Sequence, residues 1–195
     1  MLIAGVLLGG GASQRFGSDK LAEKLAGERL LDIACAHFLD AGLAPVVFAG
    51  RLEPADERVL VVAPGAQMID TLRNGLAALP DGPFAFAPAD MPALAPELIA
   101  ALRDAFLAAG RPYLVPVHAG RRGHPAFARS KEPFLRLGDA GGARAVWQQA
   151  GDDLIHKEVA TADVLFDVDT PQDLAAAGDE ASRRQRLVAR GDLRG

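Results

Sequence analysis

The chain of 195 residues is half apolar and about a quarter charged, so it can bury one good core and lies near the upper range of a single domain. Its net charge of −4, without a basic stripe, argues against nucleic acid as the main partner. The single cysteine, Cys35, excludes a disulfide framework or a cysteine-built zinc cluster and reads as a small core residue. The amino terminus is strand-like, without a basic region, long apolar helix or cleavage site, so a cytoplasmic protein with no membrane contact is expected.

The first predicted element is a buried parallel strand, Leu2 to Leu8, short, apolar and bounded by glycines. It spills into Gly9-Gly10-Gly11-Ala12-Ser13-Gln14-Arg15-Phe16-Gly17-Ser18-Asp19-Lys20. Ligands of open α/β sheets bind at that carboxyl edge. Successive glycines let backbone N–H groups converge on an anion, and Ser13 adds a hydroxyl. Arg15, Lys20 and Lys24 add three cations, a concentration that suits a polyphosphate. The stretch is not a P-loop, because no frame supplies Gly, four residues, then Gly-Lys-Ser/Thr. Nor does it complete a dinucleotide fingerprint: Gln14 stands where the third glycine belongs, and the next strand ends in Gly50-Arg51 without an acid for a ribose.

A crossover helix is predicted over Leu30 to Ala41, stopped by Gly42, and strands over Val46 to Ala49 and Val59 to Ala63. Met68 to Leu79 has helical spacing and closes at Pro80-Asp81-Gly82-Pro83. The strand Phe84 to Pro88 delivers Asp90 to the same edge as the glycine turn, too far ahead of the helix Pro96 to Ala109 to make a good cap. Strands Tyr113 to Val117 and His124 to Phe127 flank a turn carrying Arg121 and Arg122, whose plain reading is a solvated hairpin tip. Gly138 to Gly142 reads as a flexible joint before a helix over Ala143 to Ala150. Strands over Leu154 to Val159 and Val164 to Phe166 lead to Asp167-Val168-Asp169-Thr170-Pro171, where Thr170 or Asp169 can cap a helix and alternation puts both acids on one side. Alternating strands and helices predict an α/β three-layer sandwich, mostly parallel, with a small antiparallel addition near Tyr113 to Arg129. One domain is expected over residues 1–177, with an Arg-rich surface tail over 178–195.

Leu8-Gly-Gly-Gly-x-Ser13-x-Arg15-Phe16-Gly17-x-x-Lys20, followed by Gly27-Glu-Arg-Leu30-Leu31, resembles the signature of the molybdenum cofactor nucleotidyltransferases. Gly9 and Phe16 replace that signature's usual Ala and Met, and Lys24 and Arg29 stand where prolines are common, but no phosphate-binding group is removed. Further segments match in the same order: Met68 to Gly75, Asp90-Met91-Pro92, Arg122-Gly123-His124-Pro125, Gly138-Asp139 and Asp167-Val168-Asp169-Thr170-Pro171. The resemblance implies a Rossmann-like fold of the nucleotide-diphosphosugar-transferase type. It also implies nucleotide binding by Leu8, Gly9, Gly10, Gly11, Ser13, Arg15, Lys20, Thr71 and Asn74, and acceptor binding by Arg122, His124 and Asp139. Asp90, Asp167 and Asp169 are implied as ligands of Mg²⁺, with Arg15, Lys20 and Asp90 catalytic.

The implied reaction moves a CMP or GMP group from a nucleoside triphosphate to the terminal phosphate of a molybdopterin-like acceptor, releasing pyrophosphate; a molybdoenzyme or its chaperone is a further implied partner. By the same resemblance, Gly10 points to GTP, and the segments around His124 and Asp139 to CTP, which is favoured because they cover more of the chain. The rival readings are an NAD(P)-dependent oxidoreductase built on the same turn and a non-catalytic nucleotide-binding accessory protein of a molybdoenzyme.

Overall fold

The computed structural model describes residues 2–10, 19–137 and 142–178. Its centre is β1 (Ala4–Leu8), buried along its whole length because both of its faces are covered. Parallel neighbours flank it: β4 (Val46–Ala49) on one side, followed by β5 (Val59–Val62), and β6 (Phe84–Pro88) on the other. Beyond β6 come β9 (Ala126–Ala128), β7 (Tyr113–His118) and β10 (Leu154–Glu158), with β8 (Arg121–Arg122) hairpinned onto β7. Of these, β9 and β8 run antiparallel to their neighbours; the other pairings are parallel. A separate two-stranded hairpin, β2 (Lys24–Leu25) and β3 (Glu28–Arg29), follows the glycine turn.

Alternation along β1 sorts the core. Ile3 and Leu7 face the layer formed by α1 (Leu30–Asp40) and α3 (Pro96–Ala109), whereas Ala4, Val6 and Leu8 face α2 (Met68–Ala77). Two short helices, α4 (Glu132–Leu135) and α5 (Arg144–Gln149), join the α2 layer, where Phe84, Phe86, Tyr113, Phe134 and Trp147 pack ring against ring. The last described helix, α6 over 171–178, adds Leu174 and Ala177 to the opposite layer. The result is the expected three-layer α/β architecture with a mixed, mostly parallel sheet.

The antiparallel addition expected near Tyr113 to Arg129 is present, and β9 is inserted between β6 and β7, buried on both faces, where it completes the sheet. One expectation changes. Val164 to Phe166 is not a strand. Ala162–Leu165 forms a 3-10 turn capped by Thr161, whose hydroxyl accepts from the Asp163 N–H (3.2 Å), while the Val164 carbonyl accepts from the His124 N–H (2.8 Å). Local capping and a long-range hydrogen bond outcompete the strand propensity of those residues. The β2–β3 hairpin and α4 carried no clear sequence signal, being too short for a periodicity to show. The tail beyond residue 178 lies outside the described residues, and among the described residues no helix is long and apolar enough to cross a membrane.

Gly123 explains how the turn and β9 meet. A Cβ there would lie 2.2 Å from the Val164 carbonyl oxygen, so two backbones touch where no side chain can rotate away. Gly123→Ala is expected to lower stability by about 1–3 kcal/mol, the usual cost of overpacking, read as a lower urea midpoint. A midpoint equal to wild type would mean that this joint relaxes freely.

Candidate active site

The strand order brings the carboxyl ends of β1, β6 and β7 to one edge of the sheet. Pairing continues past the strands themselves, with the Ala89 N–H donating to the Leu8 carbonyl (3.0 Å) and the Gly9 N–H to the Ala49 carbonyl (2.8 Å). Asp90 is therefore set beside the start of the glycine turn. The Asp90 carbonyl in turn accepts from the Val168 N–H (2.9 Å), and the fully buried Val168 side chain anchors the segment that carries Asp167 and Asp169. Both acids flank that anchor and line the site, so the expected shared side holds, although the segment is a pinned extended stretch and not a strand end.

Lys20 enters from the first turn of a 3-10 helix, Lys20–Ala22, capped by Asp19, whose carboxylate accepts from the Leu21 N–H (3.1 Å). Its ammonium reaches Asp169 Oδ1 at 2.8 Å and also bonds Asp90 Oδ2. Burial works against the Lys20 charge, but its hydrogen bonds to Asp169 and Asp90 prevail and hold its pKa above the ordinary lysine value. Burial pushes the Asp90 carboxyl upward, opposed by Lys20 and reinforced by the charge of Asp167. Asp90 Oδ1 is buried without a hydrogen-bond partner.

These groups line one cavity of about 270 Å³, with Leu8, Gly9, Lys20, Asp90, Asp167 and Asp169 in its wall and half-exposed Met68 at its margin. A second cavity of the same volume, between Leu25, Pro92 and Phe166, is mostly apolar. The first is the one that gathers charged side chains.

The remaining expected residues fall elsewhere or outside view. Gly11, Ser13, Arg15 and Asp139 lie outside the described residues. Lys24 sits exposed on β2 and does not line the cavity. Thr71 is fully buried; its hydroxyl donates to the Gln67 carbonyl (3.1 Å) and accepts from the Gly65 N–H (3.0 Å), so it braces the loop before α2. Asn74 donates to the Ala63 carbonyl (3.1 Å), just past β5. Arg122, exposed on β8, donates through Nε to His156 Nε2 (3.0 Å) on β10. His124 packs against Phe86 and its Nδ1 is buried without a partner; burial lowers its pKa, leaving the imidazole neutral at ordinary pH. Neither Arg122 nor His124 lines the acid-and-lysine cavity.

Asp90 does not cap α3, whose cap position is Ala95. Nor does Asp169 cap α6: Thr170 does, with Asp173 Oδ2 accepting from the Thr170 N–H (2.7 Å) and the Asp173 N–H donating back to Thr170 Oγ1 (3.2 Å). That reciprocal box leaves the Asp169 carboxylate available to Lys20. Sequence reasoning left the cap open between Thr170 and Asp169 and gave no role to Asp19, Val168 or Asp173; the spacing of Thr170 and Asp173 is the signal that could have chosen Thr170.

A mostly parallel sheet with an acid–lysine cluster at its carboxyl edge, beside Gly9, suits a phosphate-handling transferase. The MobA-like NTP transferase domain family matches residues 5–159, and the chain belongs to that family; it is a nucleotidyltransferase. The matched stretch runs from within β1 to just past β10, and Asp167 and Asp169 follow it. The chain is similar to a probable molybdenum cofactor guanylyltransferase of Chloroflexus aggregans, 32% identical over 204 residues that cover 89% of this chain and 92% of the relative. Among solved structures, the fold is shared with molybdopterin-guanine dinucleotide biosynthesis protein A from Archaeoglobus fulgidus (TM-score 0.70, 20% identity, 93% of this chain and 100% of that one). It is shared as well with 2-C-methyl-D-erythritol 4-phosphate cytidylyltransferase from Thermus thermophilus (TM-score 0.69, 21% identity, 93% and 100%). The oxidoreductase and accessory-protein readings are not favoured by these matches.

Proposed function

We propose that the chain transfers GMP from GTP to the terminal phosphate of a molybdenum-bound pterin, releasing pyrophosphate. The observation that carries this reading is the Lys20–Asp90–Asp169 cluster at the mouth of the glycine turn. An acceptor phosphate oxygen is already an anionic nucleophile: it forms a bond to the α-phosphorus as the bond to the β-phosphate oxygen breaks. No strong general base is required, so positioning and charge neutralisation carry the rate. Lys20, and by the family resemblance Arg15, would receive the charge that grows on the leaving pyrophosphate.

The residues present suit a hard divalent cation. Among the described residues no three candidate ligands are gathered as a ready-made metal site. However, Mg²⁺ is commonly held by one or two carboxylates and completed by substrate phosphates and water. Asp90, with its unpartnered buried Oδ1, and Asp169 or Asp167 would hold it. When bound, Mg²⁺ would neutralise charge on the reacting phosphates.

For the base, the expected preference for CTP gives way to GTP in this proposal. Gly123, part of the segment that favoured CTP, is demanded by backbone packing whatever the acceptor or base. Gly10 favours GTP, and the relative at 32% identity is called a guanylyltransferase. A methyl at position 10 also has a structural consequence of its own. A Cβ there would lie 2.4 Å from Thr71 Oγ1, a buried hydroxyl fixed by two hydrogen bonds, so the turn must shift before any base is selected. Gly10→Ala is therefore expected to lower kcat/KM for both nucleotides by about tenfold or more. Pyrophosphate release with acceptor, Mg²⁺ and each triphosphate tests both points: a strict CTP preference in the wild type would overturn the choice of base. A Gly10→Ala protein that loses nothing with CTP would show that Thr71 yields.

A further inference from the structure

Lys20 is built into the cavity wall. Its side chain is 14% exposed, and its ammonium is shared between Asp90 on the β6 side and Asp169 on the segment pinned by Val168. The ammonium thus stands between the carboxylates that would hold a divalent ion, and Asp167 lines the same cavity. A metal ion placed against Asp90 and Asp169 would meet this ammonium at contact range, where like charges repel strongly in a partly buried setting. The lysine must then give up its carboxylates, and it can do so cheaply only if another anion replaces them. A triphosphate entering over the glycine turn is such an anion.

We propose that Lys20 is an internal stand-in for the metal ion: it closes the carboxylate site in the ligand-free protein and is drawn onto the incoming triphosphate, so that metal binds with the nucleotide and not before it. This rests on the metal assignment proposed above. The exchange keeps a cation against the acids throughout, first the ammonium and then the metal, and delivers Lys20 to the phosphates it serves.

The test is a Mn²⁺ titration followed by electron paramagnetic resonance on wild type, Lys20→Met, Lys20→Gln and Asp90→Asn. It is run with and without a GTP analogue carrying a methylene between the α- and β-phosphorus. Without nucleotide, Lys20→Met is expected to bind Mn²⁺ about tenfold or more tightly than wild type, the scale of one charged hydrogen bond removed from competition. Wild type is expected to gain affinity of that order once the analogue is present. Lys20→Gln, which keeps an N–H donor for Asp90, gives the same comparison if the methionine variant does not fold. Unchanged or weaker Mn²⁺ binding in both lysine variants, with binding abolished in Asp90→Asn, overturns the exchange and leaves the metal assignment standing. Binding untouched by Asp90→Asn in the presence of the analogue overturns the metal assignment and the exchange with it.

Discussion

Asp90→Asn is expected to reduce turnover by about 10²–10³-fold or more while sparing the fold. The carboxylate stands at the end of β6, backed by the Val168 hydrogen bond and aimed into the cavity that Lys20 and Asp169 share. An amide keeps the shape and removes the charge. Stability should change little, and the sign can be worked out. Burial raises the Asp90 carboxyl in the folded protein, so this group contributes stability below the ordinary carboxylate range and loses it as pH rises through the folded value. At neutral pH the ionised Asp90 is thus a cost that the Lys20 pair offsets only in part, and a neutral Asn avoids that cost while forgoing the pair. A thermal melt close to wild type beside near-zero pyrophosphate release is the expected combination; near-normal release at ordinary Mg²⁺ would remove Asp90 from the chemistry.

Lys20→Ala is expected to cost about 10²-fold in kcat/KM, the scale of losing one donor to a developing negative charge. The side chain is positioned by the Asp19-capped turn and by two carboxylates, so little entropy is spent in presenting its charge. Because Lys20 and Asp90 touch, their effects should not add: the double variant Lys20→Ala with Asp90→Asn is expected to be less impaired than the product of the single losses. Steady-state pyrophosphate assays across the four proteins measure that coupling. A Lys20→Ala rate within about threefold of wild type would mean that the turn serves something other than the triphosphate.

Much of the architecture was legible along the chain. β1, β4, β5 and β6 are short apolar runs bounded by glycine and proline, and α1, α2 and α3 have helical periodicity between ordinary stop signals; their ends moved by only a residue or two. The placement of Asp90 after an apolar strand was equally readable, since a parallel strand must deliver its next residues to the carboxyl edge. Less readable was the stretch around Val164, where strand-forming residues were diverted into a 3-10 turn by Thr161 and by the backbone of His124. The roles of Thr170 and Asp169 also stayed open, because both are good caps and only one position fits the geometry of α6.

Periodicity and local punctuation thus determined the layer order, the glycine turn and the edge at which the acids gather, because these depend on residues a few positions apart. The tertiary structure decided the rest: the insertion of β9 between β6 and β7, the close approach of Gly10 to Thr71, and the meeting of Lys20 with Asp169 across 149 positions of sequence. Such contacts are set by how the sheet closes and what each buried polar group can find as a partner once water is excluded, and neither condition leaves a mark on local spacing.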